Sequence, residues 1–498
     1  MALNKNQIIF LESKGLTTEI VDTQINLFKQ GTHYLKIIKP AQLNNGIKIF
    51  SKNKISHIEN NYSQLIESKK LSKFVPASGA ATRMFKDLYT FLTSGETSEF
   101  VVNFIENIEK FAFYNELVNT LKNSELDVNQ LITEKKYKEI IETLLLSNFM
   151  DYGSLPKGLL TFHRIDNNFS TPITEHIKEA MLYGGNNVDL IFTISEEYQS
   201  KFKKEIESSS KKLQVEKLKY TLTYQKSRTN TIAVSKDFEL VELDNDELLI
   251  RPGGHGSLIE NLNEVDSDII FIKNIDNVCA DKYINETVKY KKLLTSELLR
   301  VQNKVFEYVT ELKDYNGENN EFNAELYNFI KNELGCYIDD FSKMTIEETL
   351  MYFNTKLNRP IRVCGMVKNE GEPGGGPFWV KNKEGVISLQ IVESAQINQK
   401  DKKQVSVFKS SSHFNPVDLV CAVKDIEGKK YDLTEFVDKD AYFIAKKTYQ
   451  GEEILALEHP GLWNGGMGEW STVFVEVSSL TFNPVKTVND LLRTAHQN

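Results

Sequence analysis

Lys73-Phe-Val-Pro-Ala-Ser-Gly-Ala-Ala-Thr-Arg-Met-Phe-Lys-Asp-Leu88 sets three textures end to end: a short apolar run, a run of small residues, and helix formers. That order reads as strand, loop, helix. Small side chains let backbone amides approach a phosphate, and a helix N-terminus at the end of the loop adds positive potential. Arg83 can then hold phosphate oxygens in a forked geometry. A plain tight turn with a surface arginine explains the segment equally well. Neither a GxxxxGK[ST] phosphate loop nor a GxGxxG dinucleotide loop occurs anywhere, which argues against kinase and dehydrogenase chemistry. Downstream, LLTFH, TPITEHIKEAMLYG, VDLIFTIS, YTLTYQ, TIAVS, ELLIRPGG and DIIFIKNIDN alternate β-rich runs with helical ones. The pattern predicts an α/β protein with a mixed, mainly parallel sheet.

Around this body lie two polar, Glu/Lys/Asn-rich stretches with helical periodicity, at about 93–150 and 281–355, expected to be helical insertions. Residues 1–65 read as an N-terminal helical appendage, with Thr17 and Thr18 as candidate caps and Gly31 as a stop. Residues 66–498 form the main body. From 360 the chain turns β-rich and glycine-rich, as in RVCGMV, GEPGGGPFWV, ISLQIVES and QVSVFKSSSHFNPVDLVCAV. The 498 residues hold 60 basic and 69 acidic side chains, net −9, so no broad basic surface exists for a nucleic-acid backbone. No apolar run approaches a membrane span, and the opening residues are too short in apolar core for a secretory signal. The expectation is a cytoplasmic protein. Cys279, Cys336, Cys364 and Cys421 are far apart, with no CxxC pair, and read as buried thiols.

Four further segments carry candidate chemistry. Pro156 has a fixed φ and Gly158 a free one, an arrangement that aims Lys157 into a cleft as a point charge. Gln225, after the TLTY run, can pair with a base edge or merely cap a strand. Arg251-Pro-Gly-Gly-His-Gly256 is a loop through which a flat ring can approach the backbone. A hydrogen-bonding role suits His255 better than that of a general base, because no nucleophile motif surrounds it. Asp276 follows an apolar strand, where ligands bind in α/β sheets, and its hard oxygen suits Mg²⁺. Only eight arginines occur, and two, Arg83 and Arg251, sit in small-residue or glycine-rich loops.

In order, SGAATRM, Pro156-Lys157, TYQKS, RPGGHG and FIKNIDN resemble the motifs of GT-A-type (Rossmann-like) nucleotidyltransferases, especially the UDP-sugar pyrophosphorylases. The chain resembles still more closely the domain of unknown function 4301 family, through RPGGHG, NIDN, GEPGGGPFW and HFNPVDLV. The first resemblance implies a GT-A-like fold and a reaction of UTP or another nucleoside triphosphate with a sugar 1-phosphate. It would place Ser78, Gly79, Ala80, Thr82, Gln225, Gly253, Gly254, His255 and Gly256 at the nucleotide. Arg83 and Lys157 would meet the triphosphate, and Asp276 would hold Mg²⁺. VFKSSSHFN would bring Lys409 to the phosphates, while Gly375, Glu393, Asn415 and Trp463 would line the sugar side. Ala81 stands where those enzymes have the last glycine before Thr-Arg.

A sugar 1-phosphate is already anionic near neutral pH, so its attack on the α-phosphorus needs no general base, only positioning and charge neutralisation. Two rivals use the same fold: a non-catalytic nucleotide or nucleotide-sugar sensor, and a glycosyltransferase with a D-x-D metal motif. The D-x-D matches are Asp244-Asn-Asp246, Asp266-Ser-Asp268 and Asp438-Lys-Asp440.

Overall fold

The computed structural model describes residues 3–165, 168–371 and 374–497. Its fold is mixed α/β, and the chain divides into two compact units built from separate stretches. One comprises Met1–Lys69, Gln225–Phe271 and Leu293–Val477; the other comprises Lys70–Tyr224, Ile272–Lys292 and Ser478–Asn498. The expected division at residue 65 into appendage and single body therefore gives way to two interrupted units.

In the second unit, strand Leu71–Pro76 runs parallel to Val188–Ile194, which runs parallel to Lys219–Tyr224. Nearly every residue of the first two is buried, as expected for parallel strands covered on both faces. Helix Pro172–Gly184 starts where Thr171 accepts from the Thr174 amide and Pro172 occupies the first turn. The region expected as a helical insertion folds as Glu99–Glu106, Tyr114–Asn123, Val128–Thr133 and Tyr137–Leu145. Their buried faces share one apolar cluster, in which Phe111 lies 5.1 Å from Phe104 and 5.0 Å from Phe113, ring centre to ring centre. Val485, Val488 and Leu491, from the end of the chain, join that cluster.

The first unit has a mixed sheet: Gly46–Lys48, Ser471–Glu476 and Ile361–Lys368 are parallel neighbours, and Asp418–Ala422 is antiparallel to the last. Two further sheets, which the sequence did not predict, are wholly antiparallel. One has the order Lys36–Pro40, Gly376–Lys381, Val386–Val392, Cys336–Ile338. The other has the order Ile250–Pro252, Asn230–Val234, Glu452–Glu458, Phe443–Tyr449. Short turns account for the direction of two of these pairs, Gly376–Lys381 with Val386–Val392 and Phe443–Tyr449 with Glu452–Glu458. Gln450 and Gly451, at φ 48° and 86°, join two strands in the conformation that matches hairpin twist.

Residues 1–65 are not solely helical. Thr17 caps helix Thr18–Gln30 and Gly31 ends it at φ 77°, while Lys36–Pro40 and Gly46–Lys48 enter the sheets. Leu11, Val21, Ile25 and Phe28 cover Ile232, Val234 and Leu457. The stretch expected as helical at 281–355 likewise includes strand Cys336–Ile338 between its helices. Residues 402–409, read as part of a β-rich segment, form helix Lys402–Lys409, because Asp401 caps it by accepting from the Lys403 and Gln404 amides. All four cysteines are buried and form no disulfide. Among the described residues, no helix is long and apolar enough to cross a membrane.

The second unit buries a charge cluster. Glu179, on helix Pro172–Gly184, accepts from Lys273 at 2.8 Å and lies 3.3 Å from Lys73, whose ammonium also donates to the His176 carbonyl at 3.0 Å. Burial alone would raise the Glu179 pKa, but Lys273 and Lys73 hold it far below the usual carboxylate range. One carboxylate cannot neutralise two ammonium groups, and the cost falls on Lys73: burial lowers its pKa to about 8.

Glu179→Gln leaves both lysines unneutralised and should cost about 3–5 kcal/mol in urea unfolding, whereas a loss under about 1 kcal/mol would contradict the clamp. The unfolded chain keeps the Lys73 proton up to its ordinary pKa of 10.5, while the folded chain releases it near 8. The wild type should therefore gain stability from pH 8 to 10.5, and Lys73→Met should remove that slope.

Candidate functional site

In the second unit the structure brings together three of the expected motifs. Strand Leu71–Pro76 runs into the Ser78–Arg83 loop, where the Ala81 amide donates to the Leu155 carbonyl at 3.1 Å and the Lys157 amide donates to Gly79 at 3.4 Å. These two bonds bridge the small-residue loop to Pro156-Lys157. Among the described residues, the amides of Ser78, Gly79 and Ala80 donate to no other group. A Cβ added at Gly79 would meet open space. Thr82 and Arg83 are exposed. The Ala81 methyl is fully buried in the apolar cluster with Met84, Phe85 and Leu88. One feature differs from expectation: Ala81–Arg83 is a 3-10 turn, and the α-helix begins at Lys86, so its N-terminus lies beyond the loop.

Lys157 opens a short 3-10 turn after Pro156 at φ −60°. Its ammonium donates to Asp276 Oδ2 at 2.7 Å and to the Val485 carbonyl at 2.6 Å. Gly158 packs closely on the same turn: a Cβ there would lie 3.2 Å from the Ile275 side chain, which would have to give by a few tenths of an ångström. Asp276 lies three residues past the end of strand Ile269–Lys273. The turn between them is braced by His176, whose Nε2 lies 3.2 Å from the carbonyls of both Asn274 and Ile275. Burial, reinforced by Lys73, holds the His176 pKa well below its ordinary value, so the ring is neutral and Nε2–H is the donor. Sequence reasoning missed His176, Glu179 and Val485, since nothing local in the sequence marks a brace that comes from another element.

The first unit holds the remaining candidates. Gln225 follows strand Lys219–Tyr224, and its amide nitrogen donates to Thr229 Oγ1 at 3.3 Å and Asn230 Oδ1 at 3.2 Å. The RPGGHG loop packs on a second loop, His459-Pro-Gly-Leu-Trp463. A Cβ at Gly253 would meet the His459 ring at 2.4 Å, and one at Gly256 the Pro460 carbonyl at 2.1 Å. Those glycines are thus required by contact within the protein, and Gly254 by its φ of 79°. His255 accepts the Leu462 amide at Nδ1 (3.0 Å) and stacks on Trp463, ring centres 4.1 Å apart. Burial lowers the His255 pKa, against a counter-pull from Glu393 and Glu458. Trp463, expected against a sugar, has this ring on its face. The signal for the second loop was its own His-Pro-Gly.

Gly375, Glu393 and Asn415 lie close together: the Asn415 amide donates to the Gly375 carbonyl at 2.9 Å, and a Cβ at Gly375 would lie 3.2 Å from Glu393 Cγ. Of the GEPGGGPF loop, Glu372 and Pro373 lie outside the described residues. Lys409 ends helix Lys402–Lys409 in an exposed position and contacts none of these residues. Among the described residues, no group of three or more acidic, His or Cys side chains could hold a metal. The D-x-D motifs are already engaged. Asp266 and Asp268 flank Lys424 at 2.9 and 3.1 Å, Asp246 accepts from Asn4 and Asn6, and Asp440 pairs with Lys383.

Among solved structures, the uridine diphosphate N-acetylglucosamine pyrophosphorylase from Trypanosoma brucei is similar over 91% of this chain and 72% of its own, with a TM-score of 0.47 and 10% identity. A UDP-glucose pyrophosphorylase mutant from Leishmania major in complex with UDP-glucose is similar over 99% of this chain and 79% of its own, at TM-score 0.44 and 13% identity. A Trypanosoma brucei UDP-glucose phosphorylase is similar over 99% and 80%, at TM-score 0.46 and 12% identity. No curated protein sequence matches this one. Residues 4–497 match the family described as a domain of unknown function, DUF4301, and the chain belongs to that family.

Proposed function

We propose that the protein is a sugar-1-phosphate nucleotidyltransferase of GT-A type, taking a nucleoside triphosphate, UTP by preference, and releasing pyrophosphate. The observation that carries this reading is the joining of the Ser78–Arg83 loop to Lys157, and of Lys157 to Asp276, within one unit. Together they put an open stretch of free amides, an arginine and a lysine beside a single carboxylate, a set suited to polyphosphate and not to acid–base work. A phosphate oxygen of the sugar 1-phosphate attacks the α-phosphorus, forming the new P–O bond. The bond to the β-phosphate oxygen breaks, and pyrophosphate leaves with the electron pair. No proton has to move. Arg83, Lys157 and the loop amides neutralise the charge that builds on the leaving group.

Asp276 is the residue that would hold Mg²⁺, which supplies further neutralisation of the triphosphate. The residues fit that ion in its usual form: Asp276 Oδ1 has no hydrogen-bond partner among the described residues, and one carboxylate suffices where phosphates and water complete the shell. Gln225 keeps its carbonyl oxygen for a base edge, since only its nitrogen is engaged. Gly375, Glu393 and Asn415, grouped in the first unit, are the residues that the resemblance assigns to the sugar. The buried position of the Ala81 methyl supports turnover over the sensor reading, because it fills the core and not the loop. The lysine on Asp266 and Asp268 speaks against a glycosyltransferase.

Pyrophosphate release should require Mg²⁺, one of the four ribonucleoside triphosphates and a pool of sugar 1-phosphates. Stabilisation by a uridine nucleotide with no release in any combination would replace the enzyme with the sensor. Asp276→Ala should abolish metal-dependent release while changing stability by only about 1 kcal/mol, since its ion pair with Lys157 is partly exposed; full activity would remove Asp276 from the reaction. Arg83→Ala should weaken triphosphate binding roughly 10- to 100-fold by calorimetry, the loss expected of one charge-assisted contact, and unchanged affinity would take Arg83 out of the site.

A further inference from the structure

Arg362, on strand Ile361–Lys368 of the first unit, is 0% exposed, and among the described residues no carboxylate pairs with it. The ionisable groups that bear on its charge are the Cys364 and Cys421 thiols, and burial pushes the Cys364 thiol up to about 11. A buried cation without a counter-ion is costly, and a hydrophobic side chain could fill the same space. What an aliphatic chain could not do is orient three acceptors at once. Nε donates to Thr472 Oγ1 at 2.9 Å, one terminal nitrogen to the Trp463 carbonyl at 2.5 Å, and the other to Gln390 Oε1 at 3.4 Å. The planar guanidinium fixes the angles between these partners as well as the distances.

Two of the three contacts lead out of the core to the same place. Trp463 stacks on His255, with 17° between the rings. Asn464, next in the chain, donates to Gln396 Oε1 at 3.1 Å, and that oxygen also accepts the Glu393 amide at 3.0 Å. Gln390 lies on strand Val386–Val392, which ends one residue before Glu393. His255 and Glu393 therefore share one anchor.

They are also complementary. His255 Nδ1 accepts the Leu462 amide, so the neutral ring carries its proton on Nε2, and this N–H has no partner among the described residues. The Glu393 carboxylate caps the Gln396 amide and pairs with no cation among those residues. It lies near enough to act on the charge of His255 without hydrogen bonding to the ring. Glu458, the other carboxylate that acts on His255, is taken by Lys447 at 3.3 Å. A hydroxyl group both accepts and donates, and so matches a free N–H beside a carboxylate.

We infer that Arg362 is a positioning residue: through Trp463 and Gln390 it sets His255 Nε2–H and the Glu393 carboxylate as a donor–acceptor pair for a hydroxyl of the sugar substrate. The sugar rests on the nucleotidyltransferase reading, whereas the positioning of His255 does not.

Two measurements on the full-length protein test this. Nitrogen-15 NMR of the histidine rings should show His255 as a single Nε2–H tautomer in the wild type, and as exchanging tautomers in Arg362→Met. In steady-state kinetics Arg362→Met should raise the KM for the sugar 1-phosphate at least tenfold and that for the triphosphate less than twofold. A merely structural role would lower the amount of active protein and leave both KM values alone. Arg362→Lys keeps the charge without the fork and should behave as Arg362→Met does. If Arg362→Met does not fold, Thr472→Val, which removes the acceptor of Nε, should produce the same two changes in smaller measure. A wild type that turns over no sugar 1-phosphate would end the nucleotidyltransferase reading, and the His255 tautomer would then decide the role of Arg362. An unchanged single tautomer in the variants, KM values that rise together, or full recovery by lysine would each overturn the inference.

Discussion

The Glu179 carboxylate, shared between Lys73 and Lys273, is the interaction on which the second unit's chemistry rests. The two lysines belong to different strands, and each strand leads within a few residues to part of the candidate site: Lys73 precedes Ser78 by five positions, and Lys273 precedes Asp276 by three. A buried charge held from two sides is strongly directional in a low-dielectric interior. It fixes helix Pro172–Gly184 against both strands, and from that helix His176 reaches the turn that carries Asp276. An apolar contact of similar size would bury the same area without specifying how far each strand slides.

The first unit solves its positioning problem by loop-on-loop contact. Gly253 admits the His459 ring and Gly256 the Pro460 carbonyl, and the stack of His255 on Trp463 locks the two loops together. A glycine-rich stretch can thus be required by the protein's own packing, even where a ligand is also expected nearby. The neutral state of His255 follows from its burial and from the Leu462 amide at Nδ1, so it acts as a structural acceptor throughout the physiological range.

How much could be read in the sequence depended on how local the cause was. Lys73–Leu88 was legible as strand, loop and then helix because each part is set by adjacent residues, although the 3-10 turn at Ala81–Arg83 delays the helix. The pairing of Lys157 with Asp276 was legible only as two separate motifs, since 119 positions separate them. The apolar alternation in QVSVF suggested a strand, yet Asp401 and the packing of Phe408 on Phe378 select a helix. Strand direction in the later half was hidden for a different reason. Composition marks β-structure, but only short turns such as Gln450-Gly451 show that it must run antiparallel.

The interleaving of the two units has a consequence for biogenesis. The carbonyl that holds Lys157 comes from Val485, and the helical cluster of the second unit is closed by Val485, Val488 and Leu491. Both are made more than 300 residues after Lys157 itself. The groups around Lys157 therefore acquire their final geometry only once residues 485–491 have been made. Until then, the aromatic cluster around Phe104 and Phe111 lacks its apolar cover and is a natural client for chaperones.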